Sequence, residues 1–160
     1  MDGASRKMAI RQKTTVDMSL MAKGETHARM IVAARDVTGI VDEPEMRGGT
    51  NRGLTPTETL MSSLLGCTNV ISHRIAERMG ITLRGMDITL GAKFNRLGTM
   101  LEEEIEQPFS DIVLQISVAT DASPEQLDAL KADLARFCPI AKVIRASGIT
   151  ITEHWTTTSL

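Results

Sequence analysis

Two side chains in this sequence can serve as soft nucleophiles, and both are cysteines: Cys67 in "LLGCTN" and Cys138 in "RFCPIAKVIRASG". A thiolate attacks peroxides and disulfides or binds a metal, whereas a buried neutral thiol is inert filler. Pro139 follows Cys138 directly, and proline suits the first position of a helix. Cys138 then becomes the N-cap, with unpaired N–H groups and the positive end of the helix dipole facing its sulfur. Both favour thiolate over thiol, which is a recognised route to a reactive cysteine. Cys67 falls mid-helix on an apolar stripe. In a reducing compartment such a pair reads as inert thiols, metal ligands or a redox couple. The plain version, core filler plus a weak cap, stays open beside these, because spacing does not say whether the sulfurs meet.

The elements that must carry the cysteines are legible. "TPTETLMSSLLGCTNVISHRIAERMG" is the clearest helix: Thr55 caps it, Pro56 opens it, Glu58 completes a T-x-x-E capping box, and Gly80 stops it. Leu60, Leu64, Cys67, Ile71 and Ile75 form one stripe, while Met61, Leu65 and Val70 make other faces apolar. Its first half is therefore expected to be buried nearly all round, with Ser62, Ser63 and Gly66 allowing another backbone to come close. A second helix opens at Ser123-Pro124-Glu125-Gln126, and a third runs from Pro139 to about Ala146.

Around these lie strands. Val16, Met18 and Leu20 alternate with polar residues over 14–20; "MAKGET" reads as a turn, and "HARMIVAARD" as a second strand with Arg29 and Arg35 on one face. "VTGIVDEP" is a third strand stopped by Pro44, and "EMRGGTNRGL" a mobile loop. Later come "DITLGAKF", "DIVLQISVAT" and a closing "ITITEHW", with an acidic connection through "LEEEIE". The order predicts an α+β fold: N-terminal antiparallel strands, a long buried central helix, then a second sheet with two further helices.

At 160 residues the chain reads as one domain, 1–160, with a basic arm over 1–13. A net charge of −2 gives no electrostatic case for nucleic acid. No run approaches the roughly 20 apolar residues of a membrane helix, and the N-terminus lacks a signal-peptide pattern, so a soluble cytoplasmic protein is expected. His27, His73 and His154 show no metal-ligand spacing with the cysteines, and neither metal nor cofactor is expected. The glycines of "RGGTNRG" lack the Lys-Ser/Thr of a phosphate loop.

"TPTETLMSSLLGCTN", followed some seventy residues later by "FCPIAKVIRASG", resembles the OsmC/Ohr family of osmotically induced and organic hydroperoxide resistance proteins. In that family a P-x-E-x-L helix carries a first cysteine, and C-P-[VI] opens a later helix with the second. "DEPEMRGGTNRG" is similar to the loop before the long helix in the OsmC-like, YhfA-type branch. The resemblance covers roughly residues 14–156. It implies an intertwined homodimer whose N-terminal strands join the partner's sheet. It also implies peroxidase chemistry: Cys67 attacks an organic hydroperoxide and becomes sulfenic acid, Cys138 condenses with it to a disulfide, and an external dithiol reduces the product.

The same resemblance implies a cation for the thiolate and a carboxylate to fix that cation. Glu58 matches the carboxylate; Arg29 is preferred for the cation, lying nearer the first hairpin turn, with Arg35 as the alternative. Glu58 precedes Cys67 by nine residues where the peroxidases use ten. Nine residues place it on the opposite side of a straight helix, about 13 Å along. The helix start is then irregular, or Glu58 serves a partner's site, or it is a capping residue alone. The alternative function is a non-catalytic redox-sensing or small-ligand-binding dimer.

Overall fold

The structure is a computed structural model that describes residues 14–160. The expected arm over 1–13 lies outside the described residues. The chain divides at Thr55 and Pro56 into two compact units.

The first unit is an antiparallel meander of β1 (Met21–Gly24), β2 (Met30–Ala34) and β3 (Val37–Val41). β1 pairs with β2 from Met21↔Ala33 to Gly24↔Met30, and β2 with β3 from Met30↔Val41 to Ala34↔Val37. The first strand thus starts later than the alternation at 14–20 suggests, and "MAKG" is strand rather than turn. The reason is partner length. β2 ends at Ala34 before the chain turns at Arg35, so the register Met21↔Ala33 leaves no β2 residue opposite Ser19 or those before it. Arg35 adopts φ 55° in that tight turn, a conformation two-residue hairpin loops require. It is therefore a turn residue and does not share a strand face with Arg29, which precedes β2.

The second unit holds α1 (Pro56–Met79), then β4 (Leu83–Phe94), β5 (Phe109–Thr120), α2 (Pro124–Phe137), α3 (Pro139–Ala146) and β6 (Thr150–Ser159). The sheet order is β4-β5-β6, with β4 antiparallel and β6 parallel to β5. The parallel pair follows from the helical crossover through α2 and α3, since two adjacent parallel strands cannot be joined by a tight turn. On β5, Ile112, Leu114, Ile116 and Val118 are buried at every second position. They share one core with Leu64 and Ile75 of α1, Leu130 and Leu134 of α2, and Ala141 and Ile144 of α3. The capping box at Ser123 and Gln126 forms as expected, with Gln126 N–H donating to Ser123 Oγ at 3.2 Å and Ser123 N–H to Gln126 Oε1 at 2.9 Å.

Burial of α1 in the single chain is one-sided. Met61, Leu64, Thr68, Ser72, Ile75 and Ala76 face inward, whereas Leu60 and Val70 are 48% and 45% exposed. Among the described residues no helix is long and apolar enough to cross a membrane.

Candidate redox site

The site begins at the junction of two helices. Cys138 ends α2, its N–H donating to Leu134 O at 3.0 Å, and starts α3, its carbonyl accepting from Lys142 N–H at 3.1 Å. It is extended, φ −69° and ψ 109°, because the ring of Pro139 excludes helical geometry from the residue before it. One residue thus turns the chain between two helices. Its Sγ caps α3 by accepting from Ala141 N–H at 3.4 Å. Cys138 is fully buried and Cys67 half-buried, and the Cys138 thiol donates to Cys67 Sγ across 3.0 Å. Both are free thiols. About 1 Å of approach separates them from the disulfide length of about 2.05 Å.

The N-cap geometry at Cys138 is as the sequence predicts, but its consequence is not. Burial pushes the Cys138 thiol up to about 11, the hydrogen bond to Cys67 adds to the rise, and the Ala141 N–H opposes it only in part. Removal of a sulfur anion from water outweighs one weak N–H contact. Cys138 is therefore a protonated thiol at neutral pH, not an activated thiolate. The residue before it, Phe137, lies with the Arg78 and Arg136 guanidinium carbons 5.4 and 5.1 Å from its ring centroid. Asp133 pairs with both arginines, and with Arg78 it ties α2 to α1.

The arginine candidates belong to the first unit. Arg35 is the exposed turn residue already described. Arg29 has its Nε 2.8 Å from Glu25 Oε2 and its Nη1 2.7 Å from Thr50 Oγ1, with its side chain 18% exposed. Thr50 in turn donates its hydroxyl to Asp42 Oδ2 at 2.5 Å. Asp42, wholly buried at the end of β3, also accepts from the N–H groups of Glu43, Thr50 and Arg52. Burial alone would raise its carboxyl, but the Thr50 hydroxyl and these three N–H groups together outweigh that and hold it down at about 2. The glycine-rich stretch is thus a built loop wrapped on a buried carboxylate, with a 3₁₀ turn at Glu45–Arg47. Glu58 lies in the first turn of α1, nine residues before Cys67.

Among the described residues no three histidines, cysteines, aspartates or glutamates are grouped to hold a metal. Residues 49–154 match the family of OsmC-like proteins, which is well over half of the chain and spans both cysteines. The chain belongs to the OsmC/Ohr family. Solved structures agree on the fold. An OsmC-like protein from Mycoplasma pneumoniae superposes with a TM-score of 0.75 at 14% identity, covering 89% of this chain and 98% of that one. The organic hydroperoxide resistance protein OsmC from Legionella pneumophila gives 0.65 at 15%, covering 90% and 99%. The organic hydroperoxide resistance protein OhrB of Bacillus subtilis gives 0.57 at 16%, covering 88% and 98%. No curated protein matches the chain by sequence.

Of the five residues singled out from the OsmC/Ohr resemblance, the structure brings Cys67 and Cys138 into contact. Arg29 is set in a network with Glu25, Thr50 and Asp42, none of which the sequence reading named. A usable signal was present: an aspartate closing a strand just before a glycine-rich loop is a natural acceptor for that loop's unpaired N–H groups.

Proposed function

We propose that this OsmC/Ohr protein is a thiol peroxidase that reduces organic hydroperoxides in the cytoplasm. The observation that supports it most is the contact of two free sulfurs at 3.0 Å, with a proton held on Cys138 and Cys67 as the acceptor. In the first step the Cys67 thiolate attacks the distal peroxide oxygen. The O–O bond breaks, Cys67 becomes sulfenic acid, and the alkoxide takes up a proton and leaves as an alcohol. In the second, Cys138 sulfur attacks Cys67 sulfur, and the sulfenic hydroxyl departs with the Cys138 proton as water. A dithiol of the cell then reduces the disulfide by exchange, restoring both thiols and becoming a disulfide itself. Cys138 suits the resolving role because its high pKa keeps it from competing for peroxide and supplies the proton the second step consumes. Arg29 is assigned as the cation that favours the Cys67 thiolate, with Glu58 serving as helix cap or as a partner's carboxylate.

Purified reduced protein is expected to consume one equivalent of tert-butyl hydroperoxide and to lose both titratable thiols together, then to turn over when a dithiol is supplied. Thiols that remain fully titratable after peroxide would instead favour a non-catalytic ligand-binding dimer.

The open face of α1, with Leu60 and Val70 exposed and Gly66 bordered by empty space, supports self-association. The protein is proposed to be a homodimer whose interface exceeds roughly 2,000 Å², as obligate dimers do. Sedimentation is expected to give one species at twice the monomer mass. A monomer unchanged on concentration would remove the dimer.

A further inference from the structure

We infer that Thr50, anchored by the buried Asp42, is a positioning residue for Arg29. The inference rests on the proposed role of Arg29 as the cation serving the Cys67 thiolate, and it adds the parts that hold that cation in place.

The direction of each hydrogen bond carries the argument. Thr50 has one hydroxyl hydrogen, and it is committed to Asp42 Oδ2 at 2.5 Å. Its oxygen lone pairs are then left for the Arg29 Nη1 donor, which lies 2.7 Å away. An ionised Asp42 can only accept, so it fixes the rotor in this sense. An untethered hydroxyl could present its hydrogen to a guanidinium, which repels it; the Asp42 anchor forbids that orientation. Glu25 Oε2 takes Arg29 Nε at 2.8 Å from the other side. Two of the five guanidinium donors are thereby used to hold the group. The side chain is mostly buried, so its place is set by these two braces.

The same bonds separate positioning from loop architecture. Asp42 closes the loop through three backbone N–H groups, those of Glu43, Thr50 and Arg52. Thr50 contributes the one side-chain hydroxyl in the set, and that hydroxyl alone passes on to Arg29. Thr50→Val keeps the shape and every backbone bond to Asp42 while removing the link to the guanidinium. Thr50→Ser keeps the link.

The test uses the full chain carrying Cys138→Ser, so that Cys67 is the single thiol. Its alkylation rate with iodoacetamide is followed across pH to give the midpoint of thiolate formation. An arginine close to a thiolate favours the charged form by about 1 pH unit or more, so Arg29→Ala is expected to move the midpoint up by that much. Thr50→Val is expected to move it up by about half as much, with the thermal midpoint close to the parent, and Thr50→Ser to restore it. A Thr50→Val midpoint equal to the parent, with Arg29→Ala shifted, overturns the positioning role and leaves the arginine assignment standing. No shift in either variant overturns the arginine assignment, and the role of Thr50 with it.

Discussion

Cys67→Ser is expected to abolish peroxide reduction, and Cys138→Ser to leave a single turnover that then stalls. The two outcomes differ because Cys67 is the more accessible sulfur and burial holds Cys138 as a thiol. Cys67 is half-buried and accepts a hydrogen bond, which suits the proposed role of first nucleophile. A serine there carries a hydroxyl that does not ionise near neutral pH, so the attack on oxygen loses its nucleophile. Consumption should fall to the rate of buffer plus dithiol. Cys138 is fully buried with its thiol pushed up to about 11, so it is a poor first nucleophile. Replacing it leaves the first oxidation intact. One equivalent of hydroperoxide should disappear at a near-parental rate, and Cys67 should persist as sulfenic acid, detectable with a dimedone probe. Serine is close in size to cysteine and its hydroxyl keeps a donor toward Cys67, so both variants should stay folded. Equal steady-state turnover by Cys67→Ser would remove the peroxidase reading.

How much of this was legible in the sequence depends on whether a feature is local. The helix caps were: Pro56, Ser123 with Gln126, and Pro139 are punctuation marks whose geometry is fixed within four residues. The second sheet was legible because Ile112, Leu114, Ile116 and Val118 alternate on a strand with one buried face. The first strand was misplaced because alternation over 14–20 says nothing about what lies opposite, and pairing with the short β2 decides the start. The charge state of Cys138 was not legible for a related reason. Its cap is local, but the burial that overrides the cap comes from the packing of α1, α2 and α3 together. The network of Asp42, Thr50, Arg29 and Glu25 joins residues up to 25 apart in number through a loop that local signals describe only as irregular. Family resemblance named the arginine; the sequence marks Asp42 as an acceptor for the loop but does not link it to that arginine.

That loop carries the second large effect. Gly49→Ala and Gly53→Ala are each expected to lower thermal stability sharply. A Cβ at Gly49 would stand 1.7 Å from Glu43 O, and one at Gly53 would stand 2.2 Å from Ile40 O. Both obstacles are backbone carbonyls, so no rotamer change relieves them. Overpacking costs about 1–3 kcal/mol when neighbours can yield, and these cannot yield without moving β3 or its exit. The move would displace the Thr50 and Arg52 N–H groups from Asp42, leaving a buried carboxylate short of partners. A cost at or above the top of that range is therefore expected, measured as a fall in thermal midpoint. Gly66→Ala is the contrast. It sits in α1 with nothing within 4 Å of the added methyl, and alanine exceeds glycine in a helix interior by about 1 kcal/mol. In an isolated chain that change should stabilise. If a partner helix closes on Gly66, the methyl instead weakens the dimer, so sedimentation of Gly66→Ala reports which surface α1 faces. A tolerated Gly49→Ala would mean that the loop is free to shift, and Asp42 could not then be the anchor for Arg29.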